Sequence, residues 1–504
     1  MSKNRKIFIL IPLIIVLLCA GLFIALRPKA APLPQLEKLL ESCEALAAEN
    51  IVHTRPSIAK AGAEVFDTEV VGEVKQSFRR ATAQLRITYL DAAALTENLG
   101  PEIQNLLEEY VYEARTPQEV YNEDLSFCSD VLEHAYDEAI ASRLEHAEDY
   151  CRKAQIPIQL KYTNGAWLIE NNEDILDYSL GLREAEAFEN SVSKLEYIEF
   201  HYRLPDRTSP GPEPNPAFYG ETDDPAVILE LLESETAKKL IKGQSLDFSA
   251  DKDFIPGKPI RYYMDDTILS VVWQEVEHGA VGTFAEVFIS DASQLRRKLA
   301  GDSFGCKEFY YPTVLAEQAN AVLAVSGDFY DLSDRVYGLY VYDGQLLRSR
   351  LDAGQSCLFT DKGDMLFTYE GQFATEQEAQ AYIDENNVMF SLSFGPVMVE
   401  KGVDMTPYSY PLGEVLDTYA RCAIGQLGEL HYLAMTINVA PDYFVYVTLR
   451  QAADSMIEHG CYNAYTLDGG QTGSIILGGS LINPVQFGVE REQSDIFYFA
   501  TAIP

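Results

Sequence analysis

The sequence predicts an α+β protein with an N-terminal transmembrane helix, a small membrane-proximal domain and a larger C-terminal domain on a mixed sheet. Three observations carry this prediction. A charge-free apolar run opens the chain, the next segment mixes two-residue with helical hydrophobic spacing, and from about residue 258 closely spaced strands alternate with glycine turns. With 504 residues, 47% hydrophobic and 23% charged, the chain has the length of about three domains, and global disorder is excluded.

The first element is the predicted membrane anchor. Residues 7–26 carry no charge, and a helix of this length, at about 1.5 Å per residue, spans a hydrocarbon core of about 30 Å. Lys3, Arg5 and Lys6 precede it, which keeps the N-terminus cytoplasmic. The alternative is a cleaved signal peptide, whose apolar region usually has about 7–15 residues and ends in an A-x-A site. We expect an uncleaved single-pass anchor in the cell membrane and an extracellular ectodomain.

The charge distribution excludes one class of partner. The formal net charge is −38, and residues 1–30 hold five of the 39 basic residues but none of the 77 acidic ones, so the remainder carries −43. Such an acidic surface repels phosphate backbones, and we expect no nucleic-acid partner. The seven histidines form no H-x-H or H-E-x-x-H pattern, so we expect no metal centre and no cofactor.

The eight cysteines leave two possibilities open. Cys19 lies in the predicted anchor, and the other seven are an odd number without any C-x-x-C motif. An extracellular location permits disulfides, but small buried apolar residues explain the same cysteines equally well.

Residues 35–180 are predicted to form the membrane-proximal domain, beginning with a helix over Leu36–Asn50. Apolar residues alternate over residues 83–89 and 156–162, and Asn164-Gly165 is a strong hairpin signal after the second run. Apolar residues at helical spacing over 132–147 predict a helix against a curved sheet. This arrangement resembles the NTF2-like ectodomains of anchored bacterial proteins. His134 and His146 fall on the polar face of that helix, where solvated side chains are expected.

Residues 181–257 are predicted to be a helical and proline-rich linker region. Six prolines lie between residues 205 and 225, a density that excludes a helix or a central strand. A helical stretch follows at residues 226–244, and the C-terminal domain is predicted over 258–504.

Five segments of the C-terminal domain combine apolar strands with charged residues and glycines: AVLAVSGDFY (321–330), SFGPVMVEKG (393–402), ARCAIGQ (420–426), AYTLDGGQTG (464–473) and GVEREQSDIFYFAT (488–501). Buried strands rarely carry a charge without a partner or a ligand. Polar residues followed by glycine at a strand end allow close backbone approach to a bound molecule. Taken alone, Asp468 could cap a tight turn and Arg421 could form a structural salt bridge.

In combination, these segments resemble the phosphodiester glycosidase family over about residues 260–504. The family's Asn-Gly-Gly/Asp-aromatic motif corresponds to Ser326-Gly327-Asp328-Phe329-Tyr330, and its Phe-Gly-Pro motif to residues 394–396. Its Arg-Thr-Ala-Ile-Gly motif stands as residues 421–425, its Leu-Asp-Gly-Gly-Gly-Ser motif as residues 467–472, and its late Glu-Arg pair as residues 490–491.

The resemblance implies hydrolysis of the bond between an anomeric carbon and a phosphodiester oxygen. It implies Asp468 as nucleophile or general base, Asp328 as the second carboxylate and Arg421 as a phosphate clamp. The implied substrate-binding residues are Ser326, Gly327, Gly469, Gly470, Gln471, Thr472 and Arg491. Carboxylates would stabilise an oxocarbenium-like sugar, and arginine forks match phosphate oxygens.

Three departures from the family pattern leave a second function open. Ser326 replaces the family's asparagine, Cys422 its threonine and Gln471 its glycine. We expect a membrane-anchored extracellular hydrolase of phosphate-linked glycans in the cell envelope or in exopolysaccharide. The alternative is an envelope glycan-binding or scaffold protein that has lost activity. Cys422 has no histidine partner, so we do not expect it to act as a nucleophile.

Overall fold

The computed structural model divides the chain into two compact units, Met1–Glu199 and Phe200–Pro504. It describes residues 31–36, 38–40, 55–170, 174–175, 184–204, 206–246, 248–249, 252–329 and 337–504. None of the helices in these ranges is both long enough and apolar enough for a membrane crossing. The predicted anchor at residues 7–26, and most of the predicted helix Leu36–Asn50, lie outside the described residues, and both stay predictions.

The first unit combines helices with one four-stranded sheet. In chain order its elements are α1 (Pro56–Val65), β1 (Asp67–Ser77), β2 (Arg80–Leu90), α2 (Ala92–Thr96), α3 (Gly100–Glu113), α4 (Ser129–Leu144), β3 (Cys151–Thr163), β4 (Ala166–Ile169) and α5 (Glu184–Val192). The strands are antiparallel in the order β1-β2-β3-β4.

The predicted strands and hairpin of this unit are confirmed. Along β2 every second residue from Ala81 to Ile87 is buried, as the two-residue period requires. Asn164 and Gly165 both have positive φ values, 52° and 89°, and they connect β3 to β4. Trp167 of β4 is buried in one apolar cluster with residues of β2 and β3.

The predicted helix over 132–147 is α4, and its buried side is the predicted one. Ala135, Ala139 and Ile140 are buried, while His134 and His146 are exposed. The partners of α4 differ from the expectation of a helix against a sheet, because its apolar face lies in a cluster with residues of α2 and α3 such as Leu95. Spacing predicts which face of a helix is apolar but not what covers it.

The second unit contains most of the strands. They are β5 (Tyr219–Thr222), β6 (Ile260–Met264), β7 (Ile268–Glu277), β8 (Ala280–Ile289), β9 (Leu295–Leu299), β10 (Leu323–Ser326), β11 (Gly338–Tyr342), β12 (Gln345–Arg350), β13 (Ser356–Thr360), β14 (Met365–Thr368), β15 (Val388–Leu392), β16 (Val397–Glu400), β17 (Val403–Asp404), β18 (Arg421–Gly428), β19 (His431–Asn438), β20 (Asn463–Leu467), β21 (Ile475–Leu477), β22 (Ser480–Leu481) and β23 (Asp495–Phe499). Its helices are α6 (Pro225–Leu232), α7 (Glu235–Ile241), α8 (Pro312–Gln318), α9 (Glu376–Glu385) and α10 (Leu449–Glu458).

These strands form three sheets, in the orders β17-β16-β20-β18-β19-β8-β7-β6-β5, β22-β21-β10-β23-β9 and β12-β11-β15-β13-β14. The nine-stranded sheet is buried on both faces. Along β7, Leu269, Val271 and Trp273 pack in a cluster with residues of α6, α7 and α10. The alternate residues Ile268 and Val272 pack in a second cluster with residues of the other two sheets. The C-terminal half is therefore a layered α+β domain.

The division of the chain differs from the predicted linker over 181–257. Residues from Phe200 onward belong to the second unit, where Ile228 of α6 and Leu240 of α7 are buried in the core. The proline-rich segment is held there as well, since Gly211 N–H donates to the Ala319 carbonyl oxygen at 3.2 Å. Proline density excludes regular structure but does not prevent a segment from packing against a core.

Candidate active site

Arg421 and Asp468 are placed by two neighbouring strands of the nine-stranded sheet. Strands β18 and β20 pair antiparallel, and the register brings Cys422 opposite Leu467. Arg421 is the first residue of β18 and Asp468 directly follows β20, so both lie at the same end of these two strands. An antiparallel ladder places such residues next to each other.

A cavity of about 280 Å³ opens at this end of the two strands. Six of the ten predicted site residues line it: Arg421, Asp468, Gly469, Gln471, Thr472 and Arg491. The remaining lining residues are Phe329, Phe394, Leu412, Glu414, Val415, Tyr419, Ala420, Thr466, Leu467 and Gln486. The exposed lining is more polar than apolar, and apolar side chains such as Phe329 and Phe394 complete the wall.

The turn after Asp468 requires its glycines. A Cβ atom on Gly469 would lie 2.3 Å from the carbonyl oxygen of Ala420, so only glycine allows the turn to approach the start of β18. Gly470 has φ +67°, and its carbonyl oxygen accepts a hydrogen bond from Asn438 Nδ2 at 3.1 Å. Gly470 itself does not line the cavity, but it holds the turn in place.

Ser326 lies beneath this turn rather than on the cavity wall. Its side chain is fully buried; Oγ donates to the Thr472 carbonyl oxygen at 2.6 Å and accepts from Ser474 N at 2.6 Å. Gly327 does not line the cavity either, and a Cβ there would lie 2.2 Å from Asp495 Oδ2. In this chain the Ser326-Gly327 pair supports the turn and leaves room for a buried carboxylate.

Asp328 belongs to a fully buried charged cluster. Its Oδ2 accepts from Ser393 N and Ser393 Oγ, both at 2.7 Å, and lies 3.7 Å from Arg297 Nη2. Arg297 Nε donates to Asp495 Oδ2 at 2.7 Å, and Asp328 N donates to Asp495 Oδ1 at 3.1 Å. Burial raises the pKa of Asp328 to about 6, against the opposing effect of Arg297. The structure thus places Asp328 behind the cavity and not on its surface.

Arg421 reaches the cavity, but its guanidinium group is already engaged. Nη1 donates to the Val415 carbonyl oxygen at 2.8 Å, and Nη2 donates to the carbonyl oxygens of Asp417 and, at 3.3 Å, Val447. Nε is buried without a hydrogen-bond partner among the described residues. Burial lowers the pKa of Arg421 to about 10. Arg421 therefore ties together the segments that form one wall of the cavity, and a bidentate phosphate clamp would require some of these bonds to break.

The loop that carries Arg491 is fixed from both sides. Glu490 accepts from Thr313 Oγ1 at 2.6 Å at the start of α8, and Gln471 Nε2 donates to the Val489 carbonyl oxygen at 3.0 Å. Gln493 Nε2 donates to the Thr472 carbonyl oxygen at 2.7 Å. These bonds hold the exposed side chain of Arg491 at the cavity.

Among the cavity residues that were not predicted, Glu414, Tyr419 and Gln486 carry polar groups that could contact a ligand. Glu414 is an exposed carboxylate on the cavity wall, seven positions before Arg421. Tyr419 Oη donates to Gln486 Oε1 at 2.8 Å, and its ring stacks on that of Tyr446 with centroids 5.6 Å apart. Glu414 and Gln486 lie in short 3-10 helices, Gly413–Leu416 and Gln486–Gly488, and none of the three belongs to a motif. Their only signal was nearness in the chain to Arg421 and Arg491.

Cys422 supplies no reactive group to the cavity. Cys422 is fully buried, and burial raises the pKa of its thiol to about 12, which leaves it protonated and inert. All six cysteines that the structure describes are free, so no disulfide forms among them. The described part of the chain also holds no group of three or more histidine, cysteine or carboxylate side chains arranged for a metal ion.

Residues 319–500 match the family model of the phosphodiester glycosidases, and the segment contains every residue that lines the cavity. Residues 319–500 are therefore similar to a phosphodiester glycosidase domain.

Among individual proteins, the SPbeta prophage-derived uncharacterized protein YomE of Bacillus subtilis (strain 168) is 25% identical over 185 residues. This match covers 36% of the chain and 28% of the relative, so the chain spans little more than a quarter of that relative's length.

Two solved structures are similar to part of the chain. The catalytic domain of zebrafish N-acetylglucosamine-1-phosphodiester alpha-N-acetylglucosaminidase, auto-inhibited by its pro-peptide, matches with a TM-score of 0.38 and 17% identity, over 53% of this chain and 94% of that one. A hypothetical protein from Synechocystis matches with a TM-score of 0.35 and 12% identity, over 48% and 64%.

Proposed function

We propose that this protein hydrolyses the glycosidic bond of a sugar-1-phosphodiester. The observation that carries the proposal is the placement of one carboxylate, Asp468, and two guanidinium groups, Arg421 and Arg491, around one cavity. An anomeric carbon that becomes cationic and a phosphate that departs as an anion need these two kinds of group side by side.

Asp468 is the group that acts at the anomeric carbon. It is partly exposed, lines the cavity and directly precedes the glycine turn, so a sugar can approach it from the open side. Its carboxylate serves as the nucleophile or as the general base that activates water. Gln471 and Thr472, on the same turn, contact sugar hydroxyl groups.

The phosphate lies against Arg491 and the turn. Arg491 is exposed at the cavity and has the planar fork that matches phosphate oxygens. Gly469 brings main-chain amides close to the same space. Because Arg421 donates to three carbonyl oxygens, its part is to position the wall and to supply positive charge from behind it.

Glu414 takes the role of second carboxylate in this proposal. It lines the cavity, whereas Asp328 is fully buried with Ser393 and Arg297. A departing phosphodiester oxygen is weakly basic, so it needs less protonation than an alkoxide, and Glu414, the second carboxyl group on the cavity wall, is the group we assign as its general acid. Asp328 then acts as a support for the strand end that carries Phe329.

We place this activity outside the cell, with phosphate-linked glycans of the envelope or of exopolysaccharide as substrates. The apolar run at residues 7–26 after Lys3, Arg5 and Lys6 supports an anchor in the membrane with the bulk of the chain extracellular. The acidic ectodomain also favours solubility there over contact with anionic surfaces.

A second candidate function is binding of such a glycan without hydrolysis. It is favoured by Ser326, which replaces the family's asparagine and hydrogen-bonds the main chain of the turn from beneath the cavity. A site without that amide could hold a ligand yet fail to orient it for reaction.

Turnover of a chromogenic sugar-1-phosphodiester by the full chain separates these two functions. The expected result is release of the chromogenic phosphate ester by the wild-type protein and by Asp454→Asn, a matched change of an exposed aspartate on α10. We expect Asp468→Asn to lower kcat by about 10³-fold or more while the unfolding midpoint stays within the range of the control. Saturable glycan binding without turnover in the wild-type protein would establish the binding function instead.

A further inference from the structure

Aromatic side chains are exposed on the loops beside the cavity that contains Asp468. Tyr419 lines this cavity and is 41% exposed, and Phe487, which directly follows the lining residue Gln486, is 82% exposed. Single exposed apolar side chains are common on protein surfaces, but several at one place mark an interaction site. The mouth of the cavity is therefore a candidate for a second contact with a ligand.

Three loops join directly at this place. Tyr419 N donates to the Val447 carbonyl oxygen at 3.0 Å, and the Tyr419 ring stacks on that of Tyr446 with 6° between the ring planes. Tyr419 Oη donates to Gln486 Oε1 at 2.8 Å, next to Phe487. We call the side chains of Tyr419, Tyr446 and Phe487 the aromatic rim. The hydrogen bonds and the ring stack hold the three loops that carry it in fixed positions.

The backbone of Phe487 provides an independent observation. It has φ +65° and ψ 5°, the left-handed region that a bulky non-glycine residue adopts at a cost in conformational energy. The exposed ring gains little from packing in the fold, so burial does not offset this cost. Strained residues of this kind are concentrated at ligand-binding sites and active sites.

The surroundings of the aromatic rim favour an uncharged ligand with both apolar and hydroxyl surfaces. The side-chain amides of Gln471 and Gln486 line the adjoining cavity, and exposed carboxylates stand nearby on two of the loops, at Glu414 and Asp442. A pyranose ring has an apolar C–H face bordered by hydroxyl groups, which suits aromatic rings next to such polar groups. The net charge of −38 opposes anionic lipid headgroups.

The position of Arg491 indicates which part of the substrate reaches the aromatic rim. Phe487 and Arg491 lie four residues apart on one loop, and Arg491 lines the cavity. The proposed function places the phosphate against Arg491. A chain esterified to that phosphate then leaves the cavity past Phe487 and Tyr419.

We propose that the aromatic rim is a second binding site, which takes further sugar units of the substrate beyond the phosphate. This inference rests on the proposed function, because it takes Arg491 as the phosphate site. The preferred substrate is then a phosphate-linked oligosaccharide or polysaccharide, and the length of its sugar chain determines affinity.

Calorimetric binding to the full chain with Asp468→Asn tests the proposal without turnover. The probes are glucose-1-phosphate and N-acetylglucosamine-1-phosphate, each esterified either to methanol or to maltotriose. In at least one of the two series we expect the maltotriose ester to bind about 10-fold more tightly than the methyl ester, the effect of one or two aromatic contacts.

Phe487→Ala in the same background should bring this affinity ratio close to one. Phe487→Gly is a second variant that suits the positive φ, so it keeps the test decisive if Phe487→Ala fails to fold. Tyr462→Ala is the matched control and should retain the ratio. Tyr462 is also exposed, but its N–H donates to the carbonyl oxygen of Gln426, towards the opposite end of β18 from the cavity.

Two kinds of result would overturn the aromatic rim as a sugar site. One is that the maltotriose esters bind no more tightly than the methyl esters in both series, or that neither binds. The other is that Phe487 is needed for binding to phosphatidylglycerol vesicles or for dimerisation, measured by flotation and light scattering. Absence of turnover in the wild-type protein would instead contradict the proposed hydrolysis, and the affinity ratio in the Asp468→Asn protein would still decide the aromatic rim.

Discussion

Arg421 and Asp468 lie side by side where β18 begins and β20 ends, one position beyond the paired residues Cys422 and Leu467. The two side chains line one cavity yet are held in different ways. Arg421 is bound to main-chain carbonyl oxygens on three loop residues, while Asp468 is partly exposed beside a glycine turn. Arg421 therefore shapes the site, whereas Asp468 is open to contact with a substrate.

Glu414→Gln tests the proposed general acid. We expect kcat on a sugar-1-phosphodiester to fall by about 10²-fold, because a neutral amide cannot deliver a proton to the departing oxygen. Glu458→Gln, an exposed change at the end of α10, is the control. An unchanged kcat for Glu414→Gln would remove this residue from the mechanism.

Arg421→Met tests the positioning role of the arginine. Removal of the guanidinium leaves three carbonyl oxygens without their donor, so we expect a loss of about 2–4 kcal/mol in the free energy of unfolding. Urea unfolding measures this loss, and Arg450→Met, at an exposed arginine near Asp404, should change it little. If Arg421 were instead only a phosphate clamp, the variant would keep its stability and lose substrate affinity alone.

Asp328→Asn should change how stability depends on pH. The pKa of Asp328 is raised to about 6 by burial, above the value near 4 of an unfolded chain, so between these values the folded state binds the proton more tightly. Ionisation of Asp328 therefore lowers the free energy of unfolding as pH rises from about 4 to about 6, and the whole loss is present above pH 6. Burial raises the pKa of Asp495 as well, which adds in the same direction.

Compared with the wild type, Asp328→Asn should gain roughly 1–3 kcal/mol of stability over that pH interval, measured by urea unfolding at several pH values. Asp454→Asn provides the baseline for an exposed aspartate. A constant difference between Asp328→Asn and wild type at all pH values would show that the carboxylate does not titrate there.

Gly469→Ala tests the close approach of the turn to β18. A Cβ atom at this position would lie 2.3 Å from the Ala420 carbonyl oxygen, so the turn must shift and Asp468 with it. We expect a loss of about 1–3 kcal/mol in unfolding free energy and a clear loss of kcat. Gly413→Ala, where a Cβ would meet nothing within 4 Å, should leave the unfolding free energy nearly unchanged. Equal stability of the two variants would mean that the turn accommodates a side chain.

Several features of the fold could be predicted because they depend on local spacing. The alternation along β2 and the buried side of α4 follow from the side-chain periods of a strand and of a helix. The Asn164-Gly165 hairpin follows from the positive φ values that these two residues adopt readily. The glycine turn after Asp468 and the opening of β18 at Arg421 were predictable from motif order. The predicted anchor at residues 7–26 rests on the same kind of local evidence.

The sequence by itself determined which segments contain the charged residues of the candidate site. These residues are an aspartate before a glycine turn and arginines beside apolar strands. Only the tertiary structure decided which of these side chains meet. Asp328 and Asp468 both follow strands, but β10 and β20 belong to different sheets, and the sheet of β10 buries its aspartate against Arg297. Glu414 reaches the cavity, and the carbonyl oxygens of Val415 and Asp417 reach Arg421, because the segment just before β18 folds back over the end of that strand, a path that no helical or strand period encodes.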